Sequence, residues 1–162
     1  MATYNDSATA EQLKTISINR IFNLPIHKVW EAWSKPEYFM KWWGPKGFTC
    51  PYCSIDFREG GKYLASMRGP DGKDMWSTGT YREIIPQEKI VYTDHFADSE
   101  GNVVGGAEYN MPSMPMESTV TVTLEAFNGK TTLWLEHEGI PEEYYDDCIN
   151  GWNSSFDKME EL

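Results

Sequence analysis

The chain is short of positive charge, of cysteine and histidine, and of long apolar runs, and each shortage excludes something. Fourteen lysines and arginines stand against 25 aspartates and glutamates, a formal charge of −11, which repels phosphate backbones and anionic lipid surfaces alike. Nucleic acid and membrane are therefore not expected partners. No stretch approaches the ~18 apolar residues of a membrane span. "MATYNDSATAEQLK" also has neither the basic start nor the apolar run of a secretion signal, so the expected location is cytoplasmic. Three cysteines suit reduced thiols better than a disulfide framework.

Cys50-Pro51-Tyr52-Cys53 has the spacing of a dithiol redox centre, but it leads into an alternating strand. Strand residues three apart lie about 10 Å from each other and face opposite ways, beyond the ~7 Å reach of a disulfide. Zinc would need two further ligands, and neither a second CxxC nor a histidine pair at zinc spacing is present. Neither metal nor cofactor is expected. Nucleophile elbow, phosphate loop and dinucleotide fingerprint are missing too, which leaves catalytic residues unassigned and ranks binding ahead of catalysis.

What is present is a globular composition, 40% hydrophobic and 14% aromatic with seven tryptophans, in a chain long enough for one core. Residues 1–13 are polar and are expected to form a flexible arm; residues 14–162 are expected to form a single domain. Ile16 and Ile18 at period two mark a strand from Lys14 to Phe22. Pro25 and Pro36 each start a short helix, the second ended by Gly44-Pro45. Period two then returns, with turns at Gly60-Gly61, Pro70-Asp71-Gly72, Pro86-Gln87 and Asn128-Gly129, so six further strands follow in antiparallel hairpins. A bulge is expected within "YREIIP". After Pro141 the period becomes helical to the end. The fold class is α+β: a curved antiparallel seven-strand sheet wrapped around a long C-terminal helix, with two short helices after strand one.

The helix stripe consists of Tyr145, Ile149, Trp152 and Phe156, with Cys148 on its flank. The facing strands present Phe57, Tyr63 and Met67 from one part of the sheet, and Tyr81, Tyr92 and Leu135 from the rest. These side chains make either a packed core or the walls of a pocket. His137 continues the inward parity of Leu133 and Leu135, as a general base, a hydrogen-bond anchor or a structural histidine. Asp94 and His95 are adjacent on a strand, face opposite ways and form no dyad. Met111, Met114 and Met116, in the glycine-containing segment 97–116, are candidates for a rim or lid.

The order of elements, with "WWGPKGF", "IDFREGGKY", "MRGPDG", "GTYREIIPQEKIVYTDHF" and "GWNSSFDKMEEL", resembles the SRPBCC superfamily. Within it, the motifs look like the bacterial branch labelled activator of heat-shock-protein-90 ATPase homologue-like. The resemblance spans Thr15 to Leu162. It implies a START-like helix-grip fold with a cavity between the concave sheet and the last helix, and it decides the core-or-pocket question in favour of a pocket. The partner this implies is a small apolar or aromatic molecule. A cyclase, dehydratase or hydrolase using a cavity histidine or tyrosine is the second expectation. A heat-shock ATPase partner is the third, and a homodimer through the exposed sheet is compatible with any of them.

Overall fold

The alternation of Ile16 and Ile18 becomes the first strand, β1 (Leu13–Phe22), of the computed structural model, which describes residues 13–162. The arm expected over residues 1–13 lies outside the described residues except for Leu13, which opens β1. Pro25 precedes α1 (Ile26–Ser34) and its carbonyl accepts from the Lys28 and Val29 amides; Pro36 is the first residue of α2 (Pro36–Trp42). Proline suits a helix start because its fixed φ is helical and an amide there has no partner.

Six strands follow: β2 (Cys53–Ile55), β3 (Lys62–Arg68), β4 (Asp74–Ile85), β5 (Lys89–Ala97), β6 (Ser118–Phe127) and β7 (Lys130–Pro141). They join β1 in one antiparallel seven-stranded sheet of order β1-β7-β6-β5-β4-β3-β2. The chain therefore adds β2 to β6 in sequence along the sheet and closes β7 back onto β1. The β6–β7 turn uses Asn128 at φ 51° and Gly129 at φ 77°, the paired left-handed conformations that a two-residue hairpin demands. The bulge in β4 falls between Tyr81 and Glu83. β2 is shorter than the expected strand, because the chain turns at Asp56, whose amide bonds the Lys62 carbonyl. A Cβ on Gly61 would lie 2.0 Å from the Asp56 carbonyl oxygen, so only glycine allows this turn.

Register aligns the inward residues into rows. Ile16, His137, Val120, Tyr92 and Tyr81 stand opposite one another across β1, β7, β6, β5 and β4. The neighbouring row is Ile18, Leu135, Val122, Ile90 and Ile84. Against this face lies the last helix, α3 (Glu142–Met159), with Trp152, Ser155, Phe156 and Met159 buried. The sheet and helix together form a helix grip. Glu142 and Glu143 in the first turn of α3 and Lys158 in its last complement the helix dipole. Arg20 ties α3 to β1 through Asp157 at 2.6 Å and the Asn153 carbonyl at 3.1 Å.

The space between sheet and helix is filled by rings. Trp33 of α1 lies 4.8 Å from Trp42, 6.1 Å from Trp152, 6.2 Å from Phe156 and 6.5 Å from Tyr92, centroid to centroid. Contacts at these distances add stabilisation beyond the area buried. They also decide where the fold has room for anything else.

Candidate functional site

Beyond this cluster, toward the middle of α3, the packing opens. A cleft of about 540 Å3 is walled by Tyr144, Cys148, Gly151 and Trp152 of α3, by Met67 and Met75 of the β3–β4 hairpin, and by Trp43 and Phe48 after α2. An adjoining lobe of about 180 Å3 shares Trp43, Met67, Met75, Met111 and His137 with it and extends between Trp76, Phe96, Met114 and Pro115. Local sequence explains the opening. A Cβ on Gly151 would meet no heavy atom within 4 Å, so the α3 face offers a gap where most residues would fill one. Gly44, at φ 101°, ends α2 in a conformation that few other residues adopt and leaves Trp43 on the cleft wall.

The polar floor of the cleft is small. Trp152 Nε1–H donates to His137 Nδ1 at 3.1 Å, and His137 Nε2 lies 2.9 Å from Ser118 Oγ. An indole N–H only donates, so Nδ1 is the accepting nitrogen, and the neutral ring carries its proton on Nε2 and donates it to Ser118. Both ring nitrogens are thereby engaged. Burial holds the imidazole below its ordinary pKa, against the opposing pull of Asp94. Asp94 Oδ1 accepts from the Tyr63 hydroxyl at 2.6 Å, while its Oδ2 is 3.8 Å from His137 Nε2, too far for a hydrogen bond. Burial in the first place, and then Asp94, pushes the Tyr63 hydroxyl well above the usual tyrosine range.

The depressed imidazole gives a pH prediction. In the unfolded chain His137 takes up a proton near pH 6.5, which the folded chain refuses. Stability from this group is therefore complete above about pH 6.5 and falls as pH drops below it, with a limiting slope of about 1.4 kcal/mol per pH unit. Urea midpoints measured from pH 7.5 to 5.5 should fall faster for the natural chain than for His137→Gln. Parallel slopes would contradict the assignment.

The residues expected to line a cavity divide. Met67, His137 and Trp152 line the cleft, as do Met111 and, in the smaller lobe, Met114. Tyr63, Tyr81 and Tyr92 surround only a gap of about 10 Å3, roughly one water-sized sphere, because Trp33, Phe39 and Trp43 fill the rest of that space. Leu135 and Phe156 are fully buried in the core. Phe57 packs edge-on against Trp30 and Tyr81 at 5.5 and 5.0 Å, away from the cleft. Ile149 packs half-buried against the core. Tyr145 faces Lys14, whose Nζ is 6.0 Å from its ring. Met116 is 54% exposed and lines neither lobe. The space is thus displaced from the ring-packed middle of the grip toward the β3–β4 hairpin and the segment after β5.

The segment after β5 is tied down at several points. The Tyr109 hydroxyl donates to the Ala97 carbonyl at 2.6 Å and accepts from the Trp76 amide at 3.1 Å. Ser113 donates to Glu143 of α3, and His95 Nδ1 lies 2.7 Å from the Met116 carbonyl. These bonds set Met111 and Met114 against the cleft. No sequence pattern singles out Ser118, Trp43 or Met75 for the site, and Asp94 enters the sequence reading only as a neighbour of His95. Asp94 was legible: it follows Tyr92 by two on β5 and shares its inward parity.

Cys50 is buried and Cys53 opens β2, so the pair has no helix N-terminus to stabilise a thiolate. Burial pushes the Cys50 thiol up to about 11 and the Cys53 thiol up to about 12. With Cys148 also raised by burial, to about 11, a thiol-specific chromogenic reagent at pH 8 should react slowly with the folded protein. It should titrate all three thiols once the protein is unfolded in guanidinium. Fast stoichiometric reaction of the native protein would contradict this. Among the described residues, no group of three or more His, Cys, Asp or Glu side chains is arranged to hold a metal, and no helix is long and apolar enough to cross a membrane.

Residues 23–162 match the family model described as Activator of Hsp90 ATPase homolog 1-like protein. Among solved structures, one from Chromobacterium violaceum is 29% identical, with 91% of this chain and 95% of that one covered at a TM-score of 0.74. A protein from Nitrosomonas europaea is similar at 19% identity, covering 91% and 92% at a TM-score of 0.73. A Silicibacter pomeroyi protein described as AHSA1 is similar at 20% identity, covering 91% and 96% at 0.72; likenesses this distant speak to fold alone. No curated protein matches the chain.

Proposed function

From the premise that this chain belongs to the family of Activator of Hsp90 ATPase homolog 1-like proteins, we propose that it binds a small apolar or aromatic molecule in the cleft beside α3. The observation that carries the reading is the cleft itself: about 540 Å3 of space lined by Trp43, Trp152, Phe48 and methionines, in a fold whose remaining interior is packed with rings. That volume and lining are those of small-molecule sites, and methionine side chains adapt to differently shaped ligands.

Binding is favoured over catalysis by the state of the polar groups. Both nitrogens of His137 are committed, and the Tyr63 hydroxyl is held protonated while it donates to Asp94. Neither is free to exchange a proton with a ligand near neutral pH, which general acid–base catalysis requires.

A thermal-shift screen of several hundred apolar and aromatic compounds tests the reading. A ligand that binds only the folded state stabilises it by RT ln(1 + [L]/Kd), about 2.7 kcal/mol at a hundredfold excess over Kd. Concentration-dependent stabilisation by a related set of ring compounds is expected. Absence of any stabilisation across the screen, together with an empty denaturing extract by mass spectrometry, would sink the proposal.

A further inference from the structure

Resting on that reading, we infer that the ligand carries a positive charge: the cleft is built for an amine or other cation attached to an apolar or aromatic body, with Asp94 as its counter-ion. Neither lobe is lined by a lysine or arginine, whereas Asp94 lines both and Asp147 the larger one. His95, which lines the smaller lobe, has its Nδ1 2.7 Å from the Met116 carbonyl and its Nε2 3.4 Å from Glu117, and the basic side chains nearest in sequence to the lining residues are engaged or exposed. Lys158 Nζ bonds the Phe48 carbonyl at 3.2 Å, and Arg68 is paired with Asp74 at 2.7 Å. Lys46, in the loop after α2, is exposed and is absent from the lining of both lobes.

Asp94 is three-quarters buried, with its side chain 25% exposed. Its Oδ1 accepts from Tyr63, but among the described residues its Oδ2 has no donor within hydrogen-bond range, His137 Nε2 being 3.8 Å away and directed to Ser118. Trp152 occupies the other imidazole nitrogen and burial disfavours protonation, so the ring supplies no compensating charge. Asp94 Oδ2 reaches solvent through the cleft, where a partly desolvated carboxylate is a ready acceptor for the N–H of a cation. Three indoles, Trp43, Trp76 and Trp152, line the same space, and indole faces attract cations. The approach is also biased. Glu142, Glu143, Asp146 and Asp147 crowd the first half of α3, on a chain of net charge −11, a field that concentrates cations and repels acids.

Three probes of one ring system separate this inference from the reading beneath it: 1-naphthylmethylamine, protonated at neutral pH, 1-naphthalenemethanol, and 1-naphthoic acid. Dissociation constants follow from quenching of tryptophan fluorescence at low salt. The amine should bind at least about tenfold more tightly than the alcohol, as expected for a charge-assisted hydrogen bond in a partly desolvated site, and the acid more weakly than both. Asp94→Asn, which keeps an acceptor for Tyr63, should bring the amine to the affinity that the alcohol has for the same variant. If none of the three binds while the wider screen yields a neutral or acidic ligand, the charge inference is overturned and the cleft reading stands; a screen without any ligand and an empty extract sink both. If the acid binds as well as the amine, the charge inference alone is overturned. An amine preference that survives in a folded Asp94→Asn protein removes Asp94 from the role. Should that variant not fold, the ranking of the three probes on the natural chain still decides the matter.

Discussion

Gly151→Phe is expected to abolish ligand binding and leave the protein at least as stable as before. The glycine is on the cleft-facing side of α3, and a side chain there would enter open space. Glycine costs a helix interior up to about 1 kcal/mol relative to better helix formers, so replacement recovers a few tenths of a kcal/mol even before the new ring contacts Trp43 or Met67. The same ring occupies the volume a ligand needs, and affinity should fall by about a hundredfold or more. Gly151→Ala is the matched control: it adds one methyl group, should raise the urea midpoint at least as much because alanine is the better helix former, and should retain most of the binding. Unchanged ligand affinity in Gly151→Phe would place the site elsewhere. A large loss of stability would mean that the cleft is not open as described.

The second large effect is on folding. A Cβ at Gly79 would lie 1.7 Å from the Thr93 carbonyl oxygen and 2.8 Å from Cε1 of Tyr63. The first contact is with the backbone of the neighbouring strand, which moves only if β4 and β5 separate. Gly79→Ala should therefore cost more than about 3 kcal/mol, above the usual range for a single substitution, out of the ~5–15 kcal/mol that holds a typical domain folded. Insoluble expression or a urea midpoint shifted far downward is the expected result. A midpoint within experimental error of the natural chain would refute the steric argument. The position also matters for the site, because the bare backbone of Gly79 lets the Tyr63 ring lie close enough to bond Asp94.

Much of this fold was legible in the sequence, because it depends on short-range rules. Asn128-Gly129 specifies a hairpin, period two assigns Val120, Val122, Leu133, Leu135 and His137 to the buried face, and Pro25, Pro36 and Pro141 mark the three helix starts. Parity alone also placed Tyr81 and Tyr92 inward, where they are buried. The position of the free volume was not legible in this way. Facing inward says which side chains compete for the interior, but not which of them fill it. That outcome depends on Trp33 and Trp42 arriving from the short helices and meeting Trp152 and Phe156, contacts between residues about 120 positions apart in the chain. Cys50-Pro51-Tyr52-Cys53 shows the reverse case. A four-residue match suggested chemistry, and the strand that begins at Cys53 removed the helical setting on which that chemistry depends. Asp94 is a narrower case: its adjacency to His95 carries no chemistry, whereas its spacing of two from Tyr92 puts it on the inward face.

The central claim, a ligand in the cleft beside α3, is tested most directly by the chain's own tryptophans. The seven indoles sample distinct places. Trp43, Trp76 and Trp152 line the cleft, Trp33 and Trp42 are buried in the core, Trp30 packs on Phe57, and Trp134 is exposed on β7. In a nitrogen–proton correlation spectrum recorded during titration with 1-naphthylmethylamine, the indole signals of Trp43, Trp76 and Trp152 should shift together and saturate. The Trp152 signal should move most, since its N–H bonds His137 at the cleft floor, and those of Trp30 and Trp134 should stay in place. Saturating shifts confined to Trp134 or Trp30, or no saturating shift at any indole, would contradict the account.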